Sequence, residues 1–122
     1  TWTDLTVPGR PPGRLLASSF VDRDGRFHVF GGRTAEGQSD ETWTFDLAHG
    51  QWSMLAVTDR PPHRDSAMAA YVEDEERFLV FGGNAATRLA DVWELRRVPV
   101  PASARSLLDE PWGSGGEAAQ RR

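Results

Sequence analysis

The sequence predicts an all-β protein built from repeated antiparallel sheets, and three observations indicate this class. First, residues 26–32 (RFHVFGG) recur as residues 77–83 (RFLVFGG), with six identities in seven positions. Second, short segments rich in Val, Phe, Trp and Thr alternate with clusters of Gly, Pro and Asp about every 8–12 residues. Third, these apolar runs carry large side chains at successive positions, which is typical of strands covered on both faces.

The repeat extends well beyond this motif, with a shift of 50 or 51 residues. The segment RPPGR at 10–14 matches RPPHR at 60–64, and TWTDL at 1–5 matches QWSML at 51–55. The pattern predicts eight strands, at residues 2–6, 17–21, 27–30, 42–46, 52–55, 67–72, 77–81 and 91–95. Asp24 and Gly25 are a tight-hairpin signal after the strand at 17–21. The equivalent turn carries Glu76 in place of Gly25, so it either avoids positive φ or tolerates its cost.

Composition excludes several functional classes. The chain has 122 residues, of which 39% are hydrophobic and 26% charged, as in ordinary globular proteins. No apolar run approaches the roughly 18 residues of a transmembrane helix, and the given sequence shows no signal-like segment. These features leave the compartment undetermined, with the cytoplasm slightly favoured. A net charge of −4 argues against duplex nucleic acid as a partner. With no cysteine, disulfides and thiolate chemistry are excluded.

Four-stranded sheets stacked face to face around an axis cover both faces of each inner strand, which is the arrangement of a β-propeller. The period near 50, the FGG motifs at 30–32 and 81–83 and the spaced tryptophans resemble kelch repeats over residues 1–98. The RPPxR segments resemble the form found in bacterial kelch proteins, and the central domain of galactose oxidase has the same kind of propeller. Kelch proteins often carry Gly-His-Ser just after this arginine, whereas here the chain continues with Leu15 or Asp65. No role of that histidine is therefore carried over.

The resemblance implies structural roles for the repeated residues. The paired glycines would end the second strand of each blade at positive φ, with little room for a Cβ: Gly31, Gly32, Gly82 and Gly83. The tryptophans would pack between blades: Trp43, Trp52 and Trp93. Arg14 and Arg64 would bond backbone carbonyls or acidic side chains where each blade starts.

Counting strands divides the chain into parts. Residues 14–55 make a complete blade, residues 64–98 make a three-stranded incomplete blade, and residues 1–13 supply a strand and lead-in from a preceding blade or a ring closure. Residues 99–122 are expected to be a disordered tail with one apolar cluster: Leu107, Leu108 and Trp112. Two blades cannot close a ring, since propellers have about four to eight. We therefore expect a portion of a larger propeller, or a chain that associates with further copies of itself.

The function indicated is non-catalytic binding of a protein partner through blade loops. The loop candidates are Arg14, His63, Arg64 and Asp65. The alternative is part of a kelch-type enzyme acting on a carbohydrate, oxidase- or epimerase-like, whose active site lies mostly outside this chain. A galactose-oxidase-like copper site uses a cysteine-crosslinked tyrosine and a second tyrosine, whereas this chain has no cysteine and only Tyr71.

No cofactor or metal is expected. The three histidines, His28, His49 and His63, show no spacing that would bring them together as ligands. His28 occupies the position of Leu79 in the other repeat, so we interpret it as a partly buried strand residue. The acidic loop residues, such as Asp40 and Glu41, are interpreted as solvated.

Overall fold

Nine β-strands arranged in three antiparallel sheets make up the computed structural model, which describes residues 1–96. The strands are β1 (Ser18–Val21), β2 (Arg26–Phe30), β3 (Arg33–Thr34), β4 (Gly37–Gln38), β5 (Thr42–Asp46), β6 (Gln51–Met54), β7 (Met68–Val72), β8 (Arg77–Phe81) and β9 (Val92–Arg96). A short 3₁₀ turn at Glu73–Glu75 joins β7 to β8. The expectations for residues 99–122, including the cluster of Leu107, Leu108 and Trp112, lie outside the described residues.

The first sheet, blade 1, has the order β1-β2-β5-β6. Because strand side chains alternate between faces, its register sorts the large residues into two sets. The near face turns toward the next sheet and carries Phe20, His28, Phe30 and Thr44. The far face turns away and carries Phe27, Val29, Trp43, Phe45 and Trp52. On the far face, Trp52 packs against Phe45, with ring centroids 5.0 Å apart.

The second sheet, blade 2, has the order β7-β8-β9 and lacks the fourth strand that β6 supplies in blade 1. Its Phe78 and Val80 pack against Phe20 and Phe30 of blade 1 and form the buried core. The rings of Phe20 and Phe78 lie 4.1 Å apart. The hydrophobic core of the described residues is therefore shared between the blades rather than enclosed within either one.

The glycine pairs follow β2 and β8, where the backbone lies close to neighbouring segments of the chain. Gly31 has a φ of 71°, and a Cβ there would lie 2.8 Å from the carbonyl oxygen of Arg64. Gly83 has a φ of 99°, and its Cβ would lie 2.7 Å from the carbonyl oxygen of Asp65. Glycine serves both the left-handed backbone and the close approach at these positions. Gly32 and Gly82 also have positive φ.

Three features differ from the sequence-based expectations or resolve them. Residues 2–6 form no strand, and Trp2 is fully exposed, because no sheet edge lies beside this segment in the described part of the chain. Of the three tryptophans expected between blades, only Trp93 lines the space between blades 1 and 2, since Trp43 and Trp52 belong to the far face. The turn before β8 tolerates positive φ, because Glu76 has a φ of 51°.

Candidate binding surface

Arg64 lies beneath the loops, at the start of blade 2, and is 0% exposed. Its Nη1 donates to the carbonyl oxygen of Gly82 at 2.9 Å, and its Nε donates to that of Pro62 at 3.1 Å. Its two terminal nitrogens donate to the carboxylate of Asp91 at 2.6 and 2.8 Å. Asp91 also accepts a bond from Trp93 Nε1 at 2.8 Å. The hydrogen bonds from Arg64 and then Trp93 hold the pKa of Asp91 well below its ordinary value.

Arg14 occupies the equivalent position in blade 1 but has fewer partners. It donates to the carbonyl oxygens of Gly31 at 3.0 Å and Pro12 at 3.2 Å. The equivalent acid, Glu41, accepts a bond from Trp43 Nε1 at 3.0 Å instead. Burial lowers the pKa of Arg14, and the nearby charge of Glu41 opposes this effect. Both arginines thus donate hydrogen bonds to backbone carbonyl oxygens at the start of a blade, and only Arg64 also forms a two-point ion pair with a carboxylate.

Asp65 connects blade 2 to blade 1 through its side-chain hydrogen bonds and an ion pair. Its carboxylate accepts bonds from Gln38 Nε2 and from the Ser66 hydroxyl, both at 2.8 Å, and Arg33 Nη2 lies 3.2 Å away. These hydrogen bonds, from Gln38 first, lower the pKa of Asp65. Arg33 and Gln38 belong to the β3–β4 hairpin, which reaches across from blade 1. Asp65 is buried because this hairpin closes over it.

Two of the four predicted loop candidates are therefore corrected. Arg64 and Asp65 are both buried, so their side chains hold the blades and are not presented to a partner. The sequence pattern placed them in loops correctly, but loops of adjacent blades cover one another, and this burial depends on tertiary packing.

Arg14 and His63 are brought together in one cleft of about 300 Å³. They come from equivalent lead-in segments of the two repeats, and the β3–β4 hairpin forms the opposite side. The full lining is Pro12, Arg14, Thr34, Glu36, Gly37, Gln38, Ser39, Asp40, Glu41 and His63. Its three carboxylates outnumber its single arginine, so the cleft is predominantly acidic. His63 is exposed, and Arg60 pairs with Asp40 at 3.6 Å beside the cleft.

The β3–β4 hairpin was missed by sequence reasoning, although it contributes much of the cleft. The Thr34 hydroxyl donates to the carbonyl oxygen of Gly37 at 3.0 Å and accepts from the amide of Glu36 at 3.1 Å. Gly37 takes a φ of 114°. A threonine three residues before a glycine, within a polar run, is the signal that indicates such a turn.

A second polar cluster is buried on the near face. His28 is 1% exposed, and its Nε2 lies 2.8 Å from Asp22 Oδ2 while its Nδ1 lies 2.9 Å from Thr44 Oγ1. Its ring also stacks on Phe20, with centroids 4.5 Å apart. His28 is thus more deeply buried than the partly buried strand residue expected. The order Asp-His-Thr is that of a hydrolytic triad, but the adjoining blade leaves no access for a substrate, so the cluster is structural.

Within residues 1–96, neither a cluster of metal ligands nor a membrane-spanning helix is present. No group of three or more His, Asp or Glu residues there could hold a metal ion. No helix in this part of the chain has the length and apolar character needed to cross a membrane. The exposed His49 pairs with Asp46 at 2.7 Å. It is separated from the other two histidines in both the sequence and the fold.

Comparison with known proteins agrees with the repeated sheets. The family model for the KLHDC2/KLHL20/DRC7 kelch-repeats domain matches residues 1–98. The flagellar outer-arm dynein alpha chain of Chlamydomonas reinhardtii is 34% identical over an alignment of 100 residues, which covers 75% of this chain and 2% of that protein. This chain therefore spans only a small part of the length of that relative.

Proposed function

Because this chain belongs to the KLHDC2/KLHL20/DRC7 kelch-repeats family, we propose that it binds a protein partner through the cleft between the lead-in segments and the β3–β4 hairpin. Kelch-repeat domains generally mediate protein–protein interactions. The observation that carries the proposal is the convergence of Arg14 and His63 on one cleft with Glu36, Asp40 and Glu41. Tyr71, the tyrosine that an oxidase-like site would need, lies in β7 and stacks on Phe20 in the contact between the blades.

The chemistry of the cleft favours a basic segment of the partner. Arg14 already donates to Gly31 and Pro12, so it shapes the wall and supplies little free positive charge. Three carboxylates surround the opening. Asp40 pairs with Arg60 and Glu41 accepts a bond from Trp43, whereas Glu36 is exposed at the turn of the hairpin. Arginine or lysine side chains of an extended peptide would pair with these carboxylates. The exposed imidazole of His63 adds an aromatic surface for the aliphatic part of such side chains.

The proposal is tested with two labelled peptides of equal length, one rich in arginine and one rich in glutamate, followed by fluorescence anisotropy. The basic peptide should bind, and the acidic one should not. Glu36→Gln should weaken binding about 2- to 5-fold, as expected for loss of one exposed ion pair. Glu73→Gln is the matched control, because Glu73 is an exposed acid in the turn after β7. Equal binding of both peptides, or equal effects of both substitutions, would remove the cleft as the binding site.

A further inference from the structure

The outer edge of β9 is open in the described part of the chain. β9 pairs with β8 along one edge, whereas the equivalent strand of blade 1, β5, also pairs with β6 along the other. An unpaired edge presents a row of free backbone donors and acceptors to any strand that fits. The row of Met68, Phe81 and Val92 beside it, on the face turned away from blade 1, is also exposed.

Residues 2–5 have the sequence pattern of the missing strand. Trp2 and Leu5 have the same spacing as Trp52 and Leu55 of the fourth strand of blade 1. There, Leu55 is 4% exposed and its amide donates to the carbonyl oxygen of Thr42 at 2.8 Å. Trp2 and Leu5, by contrast, are 100% and 57% exposed. The segment carries the side chains of a blade strand but has no sheet to join in its own fold.

The segment cannot complete blade 2 of its own chain. Leu5 lies with Arg10 and Pro11 against the far face of blade 1, beside Phe27 and Phe45. Blade 2, with β9, packs on the opposite face of the same sheet. The segment and the open edge are therefore separated by the thickness of blade 1. A second copy of the chain has no such constraint.

We propose that residues 2–5 of one copy form the fourth strand of blade 2 in a second copy, antiparallel to β9. The observed β5–β6 register, which pairs Thr44 with Ser53 and Phe45 with Trp52, predicts that Glu94 pairs with Thr3 and Leu95 with Trp2. Trp2 then packs on Leu95 as Trp52 packs on Phe45, and the Leu5 amide donates to the Val92 carbonyl oxygen as the Leu55 amide donates to that of Thr42.

The connecting segment supports this arrangement. Leu5 and Arg14 are separated by the same number of residues as Leu55 and Arg64, which join the fourth strand of blade 1 to the start of blade 2. A donated strand therefore positions blade 1 of the donor directly after blade 2 of the acceptor. Within a chain, Phe78 and Val80 of blade 2 cover the near face of blade 1. Phe27 and Val29 occupy the same repeat positions on the far face of blade 1. In the donor, that face would therefore cover Phe81 and Val92 of the acceptor.

This contact is head-to-tail. Copies joined in this way form a closed ring when enough of them complete it, and otherwise an open, growing assembly. With two blades in the described part of each copy, closed rings of two, three or four copies would contain four, six or eight such blades. Within a chain, Asp65 accepts a hydrogen bond from Gln38 across the contact between the blades. The contact between copies lacks this hydrogen bond, because Leu15 occupies the repeat position of Asp65. Association is therefore expected to be reversible and to depend on concentration.

Cross-linking tests the register, because the chain contains no cysteine of its own. Thr3→Cys combined with Glu94→Cys places two thiols on directly paired residues, whose Cα atoms in such a pair lie about 5.5 Å apart, within disulfide range. Oxidation should give covalent dimers and larger species. Thr3→Cys combined with Arg96→Cys, offset by two residues, should give few. A disulfide formed within single chains, equal cross-linking of both variants, or none in either would overturn the proposal.

Sedimentation across a concentration range tests the strand geometry with two proline variants of the full chain. Because Leu55 donates to Thr42, the next hydrogen-bonded pair is Ser53 with Thr44, so Thr3 would donate to Glu94. Thr3→Pro should therefore shift the protein to monomer. Asp4→Pro, at a position whose amide points away from β9, should still assemble. A wild-type monomer at all concentrations, equal loss in both variants, or continued assembly of Thr3→Pro would refute strand donation.

Discussion

At the scale of the residue, His28 shows how one side chain acquires a role that its repeat partner, Leu79, does not have. Asp22 and Thr44 lie on its two ring nitrogens, at 2.8 and 2.9 Å. A neutral imidazole satisfies both, with Nε2–H donating to the Asp22 carboxylate and Nδ1 accepting from the Thr44 hydroxyl. A doubly protonated ring would require Thr44 to accept instead, in a buried site. The neutral form therefore fits the interior of the blade contact.

Stability is expected to fall in mild acid because of this site. Burial lowers the pKa of His28, and the hydrogen bond that its ring donates to Asp22 offsets this only in part. The folded state thus binds fewer protons than the unfolded state, whose histidine has an ordinary pKa of about 6.5. The contribution of neutral His28 to the free energy of unfolding should therefore be complete above that pKa and decline as the pH falls below it. Urea unfolding at pH 7.5, 6.0 and 5.0 measures the decline.

His28→Gln is the control for this pH dependence, since glutamine keeps a donor for Asp22 but does not titrate. His49 and His63 remain in both proteins, so a difference in slope between pH 7.5 and 5.0 reports His28 alone. For Asp22, burial alone would raise the pKa, but hydrogen bonds from His28, Arg26 and Asp24 lower it. Its contribution is therefore lost only at lower pH, as the carboxylate protonates. Parallel slopes for wild type and His28→Gln would contradict the assignment.

At the scale of the element, the lead-in arginines join the start of each blade to the ends of its strands. Arg64 connects Pro62, Gly82 and Asp91, and so holds together the lead-in, the end of β8 and the start of β9. Arg14 makes the equivalent bonds to Pro12 and Gly31 without a carboxylate contact. The two arginines thus contribute differently to stability, because only the fully buried Arg64 forms an ion pair, with the partly exposed Asp91.

Arg64→Ala should destabilise the fold by about 3 kcal/mol or more, because it leaves Asp91 and two carbonyl groups without their buried donor. Arg14→Ala should cost about 1 kcal/mol, since its site is half-buried and loses only neutral acceptors. Denaturant unfolding of the two variants provides the comparison. Costs of equal size would mean that the carboxylate clamp contributes nothing beyond the bonds to the backbone.

At the scale of the whole molecule, the two blades stabilise each other through one shared core. Phe20 of blade 1 stacks on His28 and contacts Tyr71 and Phe78 of blade 2, with ring centroids 4.7 and 4.1 Å away. Backbone bonds reinforce this contact, including that from the Gly32 amide to the Arg64 carbonyl oxygen at 2.9 Å. Because the buried cluster of Phe20, Phe30, Phe78 and Val80 spans both blades, the described residues are expected to unfold in one transition.

Phe20→Ala should therefore lower the stability of both blades together, by about 3–5 kcal/mol. Val21→Ala is the matched control, because Val21 is the next residue of β1 and its side chain is exposed; it should cost less than about 1 kcal/mol. Tryptophan fluorescence and far-ultraviolet circular dichroism should report the same midpoint in each variant. Separate midpoints in the Phe20→Ala protein would show that the blades fold independently.

The strands and turns of the repeats can be located from the sequence. Seven of the eight expected strands form, and the glycines that end β2 and β8 have positive φ, because strand periodicity and turn chemistry are encoded over a few adjacent residues. Which polar residues are buried, by contrast, depends on how the blades pack together. Arg64 and Asp65 are covered by elements about 20 to 30 residues away in the chain, and His28 is covered by blade 2. The segment at 2–6 forms no strand for the same reason: a strand requires a neighbouring edge, and its own blades place none beside it.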